Sequence, residues 1–151
     1  MQINNFKIET EQDIHDLAQL FNAYRIFYKQ ESNFLAAYQF IEARLKNKDA
    51  EFIIYKNNEK KVVGFIQLYP IFSSISMKKA WILNDLYVHD GFRRQGIAEF
   101  LMKGAIDLAQ QTDAKFLMLE TCVTNKSAQS LYKKMGFTED KETLFLTYSC
   151  Q

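Results

Sequence analysis

The chain has 151 residues, 48% of them hydrophobic, with one proline, two cysteines and a formal net charge of +1. This length suits one domain, residues 1–151, with a core that needs no staples, and the composition excludes a disordered chain. Near-neutral charge gives no global argument for nucleic acid or an anionic membrane as partner. Cys122 and Cys150 are too few and too far apart for a disulfide framework or a four-ligand zinc site. No apolar run approaches the roughly 18 residues of a membrane span, and M-Q-I-N-N-F-K does not read as a signal peptide. The expectation is a cytoplasmic protein with no metal.

Residues 3–9 read as a first strand. Thr10 then suits an N-cap with Asp13 in the first turn, and Ile14, Leu17, Ala18, Phe21 and Tyr24 recur at helical spacing toward Tyr28. Phe21 and Phe27 are expected in the core, where large aromatics mostly lie. After the polar break at 29–33, Ser32 or Asn33 opens a second helix with Leu35, Tyr38, Ile41 and Leu45 on one face. Strands follow over 51–56 and 62–70, joined by the turn N-N-E-K, and Pro70 should end or bend the second because proline cannot donate to a ladder.

The most informative stretch comes next. W-I-L-N-D-L-Y-V, residues 81–88, is rich in aromatic and β-branched types and reads as a half-buried strand, while Ile97, Leu101, Ala105 and Leu108 mark a helix over 97–110. Between them lies R-R-Q-G. The first-turn amides of a helix have no intrahelical partner, and the helix dipole adds partial positive charge, so this junction can hold an anion. Gly96 lets that anion approach the backbone because no Cβ intervenes. Neither a P-loop nor a dinucleotide fingerprint is present. The chain continues with a strand over 115–121, a short helix over 125–135, and two closing strands near 137–140 and 144–149.

The junction R-x-x-G-x-A, from Arg93 to Ala98, preceded by L-N-D-L-Y-V, resembles the pyrophosphate loop of the GCN5-related N-acetyltransferases, the GNAT superfamily. A second block, Asn125-x-x-Ala128-x-x-Leu131-Tyr132-x-x-Met135-Gly136-Phe137, resembles that family's later motif. The resemblance implies an α/β (α+β) fold with a mixed, mostly antiparallel sheet of about seven strands, splayed parallel strands at 81–88 and 115–121, and about four helices, the crossover between the parallel strands being right-handed. It also implies acetyl-CoA as acetyl donor. Its pyrophosphate would meet the amides of Arg94, Gln95, Gly96, Ile97 and Ala98, with Arg93 and Arg94 adding charge. Leu86, Tyr87 and Val88 would supply main chain to the pantetheine arm, beside a bulge at Asn84 and Asp85.

In the reaction so implied, a primary amine attacks a thioester. The amine must lose a proton, the oxyanion needs an N–H donor, and the departing thiolate gains from an acid. Tyr132 matches the family's tyrosine that donates to sulfur, Asn125 matches the position that contacts the coenzyme arm, with Ser127 either a helper there or a plain first-turn helix residue, the amide of Val88 or its neighbour in that strand is the oxyanion donor, and Asp85 is the local candidate for the base. His89 is read as an exposed loop residue and Cys122 as inert. Tyr24, Arg25, Tyr28 and Asn84 border the implied acceptor site. Arg25, if it faces the cleft, would favour an amino acid over a polyamine, because guanidinium groups bind carboxylates bidentately. The expected partner is thus a small-molecule amine, with neither nucleic acid nor membrane, and a homodimer is implied. The alternative is a noncatalytic acyl-CoA-binding regulatory module.

Overall fold

The computed structural model describes residues 7–151. They divide into two compact units that meet between Glu120 and Thr121.

In the first unit, α1 (Glu11–Phe27) begins with a capping box. The Thr10 hydroxyl accepts from the Asp13 amide at 3.1 Å, and the Asp13 carboxylate accepts from the amides of Thr10 and Glu9 at 3.1 and 2.9 Å. The same carboxylate takes Lys56 Nζ at 2.8 Å, and both side chains are buried. Burial pushes Asp13 up, but the hydrogen bonds from Lys56 and the two amides together hold it below its ordinary value. Its folded pKa is lowered, so the stability it adds is present at neutral pH and is lost as pH falls through that folded value. Lys56→Met should therefore destabilise the protein by about 3–5 kcal/mol, because it strands a buried carboxylate. Denaturant melts of the two proteins at pH 7 and again at pH 3 measure this, and the gap should shrink in acid.

Asn33 caps α2 (Phe34–Asn47) by accepting from the Ala36 amide at 3.0 Å, and Lys48 in a left-handed conformation ends it. The intervening loop is clipped to α1. Asn22 donates from Nδ2 to the Ser32 hydroxyl and accepts at Oδ1 from the Asn33 amide, and Arg25 Nη1 donates to the Glu31 carbonyl at 3.3 Å.

Four strands, β1 (Glu51–Lys56), β2 (Val62–Ser73), β3 (Lys78–Val88) and β4 (Leu117–Leu119), form one mixed sheet in the order β1-β2-β3-β4. The first three are antiparallel neighbours, and β3 and β4 are parallel, joined by the crossover helix α3 (Ile97–Gln111). In the β1–β2 turn the Asn57 side chain accepts from the amides of Glu59 and Lys61, while Lys60 takes the left-handed conformation. The helices lie on opposite faces. A Cβ on Gly64 would come within 3.0 Å of Ile97 and 3.1 Å of Leu101, whereas the next residue, Phe65, points the other way and meets Phe21 and Tyr24 of α1. Leu17, Phe21, Ile41, Ile54 and Phe65 belong to the core on that second face.

Three expectations need correction, and a fourth falls mostly outside the described residues. The sheet has four strands among the described residues, not seven: residues 137–140 and 144–149 form no ladder, and Leu144 and Leu146 are 85% and 90% exposed. Alternating apolar residues supply the face of a strand, but its backbone groups also need a partner edge. The strand expected over 3–9 lies mostly outside the described residues, and 7–9 carry no strand. Pro70 does not end β2, which pairs through Ser73. β1 reaches only Leu68, so from there one side of β2 is an edge where a missing N–H costs no ladder bond. Phe27 is not core but 56% exposed, because it sits on the last turn of α1.

In the second unit, Asn125 caps α4 (Lys126–Lys134) by accepting from the Ala128 amide at 3.2 Å. Gly136, at φ +94°, lets the chain turn out of the helix. The Phe137 amide bonds the Tyr132 carbonyl, the Gly136 amide bonds that of Lys133, and the rings of Tyr132 and Phe137 lie 6.1 Å apart. This is a Schellman stop with its hydrophobic contact.

Candidate active site

The junction between β3 and α3 is built on two left-handed residues, Arg94 at φ 60° and Gly96 at φ 79°. Gly96 is the N-cap of α3 and has no side chain to offer, so no side chain caps the helix and the amides of Ile97 and Ala98 point out of its first turn without intrahelical partners. Ile97 is buried and anchors the turn, while Arg93, Arg94, Gln95 and Gly96 are exposed. A Cβ at Gly96 would meet nothing within 4 Å. Gly96→Ala should therefore lower stability by only about 1–2 kcal/mol, the left-handed penalty alone. A thermal melt checks this, and a much larger loss would mean that the turn is crowded.

Arg93 does not extend from this loop. Its Nε donates to the Val88 carbonyl at 3.1 Å, its Nη2 pairs with Asp90 at 2.7 Å, and its guanidinium stacks over Phe27 and Tyr87 at 5.6 and 5.4 Å. The clamp ties the end of β3 to the last turn of α1. Of the two arginines, Arg94 is the one without a recorded ion pair among the described residues.

β3 carries a bulge. Gln67 faces Asp85 but Leu68 faces Leu83, which leaves Asn84 as the extra residue. Beyond it the His89 amide bonds the Val63 carbonyl, so by alternation the main-chain groups of Val88 and Leu86 face away from β2. On that outer side β4 pairs only as far as Leu119 opposite Leu83, and the backbone at Leu86 and Val88 has no strand beside it.

The bulge also sets Asp85 inward, on the face shared with Gln67, Tyr87 and α1. Asp85 is buried, accepts from Asn84 Nδ2 at 3.0 Å and from the Tyr24 hydroxyl, and forms no ion pair among the described residues. Burial pushes its pKa up, and the hydrogen bonds from Asn84 and Tyr24 only partly oppose this. Tyr24 in turn meets Tyr28 and Tyr87 edge-on, at 5.0 and 5.8 Å between centroids. Tyr28 is exposed, and Arg25 is committed to the Glu31 carbonyl. Two neighbours of Asp85 were not singled out from the sequence. Gln67 is fully buried and donates from Nε2 to Tyr69 Oη at 2.8 Å, and burial, with a smaller contribution from the Asp85 charge, raises the Tyr69 pKa. The signal was available: a lone glutamine inside the apolar run V-V-G-F-I-Q-L-Y.

Tyr132, Asn125 and Ser127 lie in the second unit, Tyr132 on the last turns of α4 and Asn125 as its cap. His89 is exposed and accepts from the Gly91 amide. Cys122 is also exposed, and the Thr124 hydroxyl beside it lowers its thiol.

Residues 14–137 match the model of the acetyltransferase (GNAT) family. The chain belongs to that family. It is 43% identical over 136 residues to an uncharacterized N-acetyltransferase of Bacillus subtilis, YhfO, covering 90% of this chain and 91% of that one. A probable acetyltransferase of Haemophilus influenzae is 31% identical over 147 residues, covering 96% and 98%. The crystal structure of a probable acetyltransferase superposes with a TM-score of 0.91 at 37% identity, covering 100% of this chain and 99% of the other. The GNAT protein described here is thus an enzyme with acyltransferase activity, and the general reaction of its family is acetylation with acetyl-CoA as donor. Among its described residues, no group of three or more His, Cys, Asp or Glu could hold a metal ion, and no helix is long and apolar enough to cross a membrane.

Proposed function

We propose that this acetyltransferase moves the acetyl group of acetyl-CoA directly onto the primary amine of a small molecule, with Asp85 drawing the amine proton and Tyr132 protonating the departing thiolate. The observation that carries this reading is the β3 bulge, which turns a buried carboxyl with a raised pKa into the face lined by Tyr24 and Tyr87. A base with a raised pKa accepts a proton more readily near neutral pH than an ordinary carboxylate does.

The coenzyme's pyrophosphate is assigned to the amides of Arg94 through Ala98, supported by the left-handed turn and the uncapped helix. The pantetheine arm is assigned to the outward main chain of Leu86 and Val88, the Val88 amide also serving the oxyanion. Tyr132, Asn125 and Ser127 enter on the motif alone. The reading treats both units as one acetyltransferase domain, because the family match spans them.

The acceptor is assigned to the amino acid or polyamine class. Arg25 would select between them, and its bond to the Glu31 carbonyl leaves a carboxylate to compete for it. A cytoplasmic setting is supported by two free, exposed cysteines, and a homodimer by the exposed apolar residues Leu144, Phe145, Leu146 and Tyr148. The test is release of free thiol from acetyl-CoA over a panel of amino acids, polyamines and aminoglycosides. Amine-dependent release supports the enzyme, whereas tight binding of acetyl-CoA with no release from any amine supports a regulatory binding module.

A further inference from the structure

The Gln67 side chain has no solvent exposure, its Nε2 donates to Tyr69 Oη, and its Oε1 has no hydrogen-bond partner among the described residues. A buried carbonyl oxygen without a donor is unfavourable and calls for an explanation. Directly across the ladder is Asp85, also buried, and opposed residues of an antiparallel pair lie on one face with Cβ atoms about 4.5–5.5 Å apart. An ionised carboxylate cannot donate to Oε1. A protonated one can.

We propose that Gln67 is a positioning residue whose amide follows the protonation state of Asp85. With Asp85 protonated, its O–H donates to Oε1 while Nε2 donates to Tyr69, and this amide orientation is the one the structure shows. With Asp85 ionised, the amide turns over: Nε2 donates to the carboxylate, and the Tyr69 hydroxyl donates to Oε1. Each arrangement pairs Oε1 and one Nε2 proton, and the two differ by a half-turn of the amide and one proton. A buried carboxyl can thereby gain or lose a proton without stranding a polar neighbour.

Asn84 from the bulge and Tyr24 from α1 both donate to Asp85, Asn84 through Nδ2, which cannot accept. Arg44 is paired with Asp49 at 3.0 Å, and Arg93 with Asp90 further along β3. During transfer the acceptor N–H bond breaks as the Asp85 O–H bond forms. The nitrogen lone pair forms the bond to the acetyl carbon, the carbon–sulfur bond breaks with its electron pair leaving on the coenzyme thiolate, and the proton on Asp85 later passes to solvent. This step rests on the reading of Asp85 as base, but the coupling between Gln67 and Asp85 does not.

The test follows the Asp85 side-chain carboxyl by carbon NMR and the Gln67 side-chain NH₂ by nitrogen–proton NMR, across pH, in the whole protein without acceptor. The two should titrate with one midpoint, and the Gln67 response should vanish in Asp85→Asn. Gln67 resonances that stay flat through the Asp85 titration overturn the proposal. Turnover measured alongside separates the two ideas. Coupled titration without acetyl transfer to any amine retires the base and keeps the coupling. Active enzyme with a flat Gln67 retires the coupling and keeps the base.

Discussion

Asp85→Asn should lower turnover by about 10²- to 10⁴-fold, the usual contribution of a positioned base, and leave the affinity for acetyl-CoA unchanged. The same variant should be more heat-stable at neutral pH. Folding raises the Asp85 pKa through burial, so the native state favours the protonated form. Stability from this group is therefore greatest below the unfolded carboxylate pKa and declines as pH rises toward the folded value. Asparagine keeps the shape without the charge, so its advantage should be largest at neutral pH and fade in acid. Kinetics and melting curves on one preparation test both halves. Full activity in the variant would remove Asp85 as base, and an unchanged melting temperature at pH 7 would mean that its burial has no energetic consequence.

Tyr132→Phe should reduce turnover by about tenfold to a few thousandfold, because the thiolate would leave without a positioned acid. The ring contact with Phe137 and the carbonyl that bonds the Phe137 amide survive the change, so the helix stop at Gly136 should stand. Coenzyme affinity and melting temperature should stay near wild type while turnover falls. The dependence on the leaving group is diagnostic: acetyl thioesters of more acidic thiols should recover part of the lost rate, since a better leaving group needs less help. If the variant is fully active, or is slow with every thioester alike, Tyr132 is not the acid.

Features set by local chemistry were legible in the sequence. Thr10 and Asn33 cap their helices because a side-chain oxygen two or three residues from an unpaired amide is a local matter. Gly96 stands at the start of α3, and the bulge that only the family resemblance implied near Asn84 and Asp85 falls at Asn84. What depended on distant partners was not legible. Whether 137–140 and 144–149 become strands is decided by an edge elsewhere in the molecule, not by their alternation. Arg93 reads as a free basic residue until Phe27, Tyr87, Asp90 and the Val88 carbonyl surround its guanidinium. Gln67 and Tyr69 acquire meaning only because the bulge brings Asp85 to their face, and counting by twos along β3 cannot anticipate a bulge.

The position of Asp85 also shows how the fold and the proposed chemistry depend on each other. One extra residue in β3 places a carboxyl among aromatic rings, where burial raises its pKa and reduces stability at neutral pH. The buried Lys56–Asp13 pair shows the opposite outcome for the same residue type. There, full hydrogen bonding and a cation favour the ionised form.

Direct transfer is most directly tested with acetyl-CoA labelled in the acetyl group, mixed with enzyme and an accepting amine, and quenched at short times for mass spectrometry of protein and amine. The label should appear on the amine nitrogen at the rate of thiol release, with none on the protein at any time. Label that first accumulates on a side chain, Cys122 included, and then moves to the amine would contradict direct transfer, and label that never reaches an amine would contradict the acetyltransferase reaction itself.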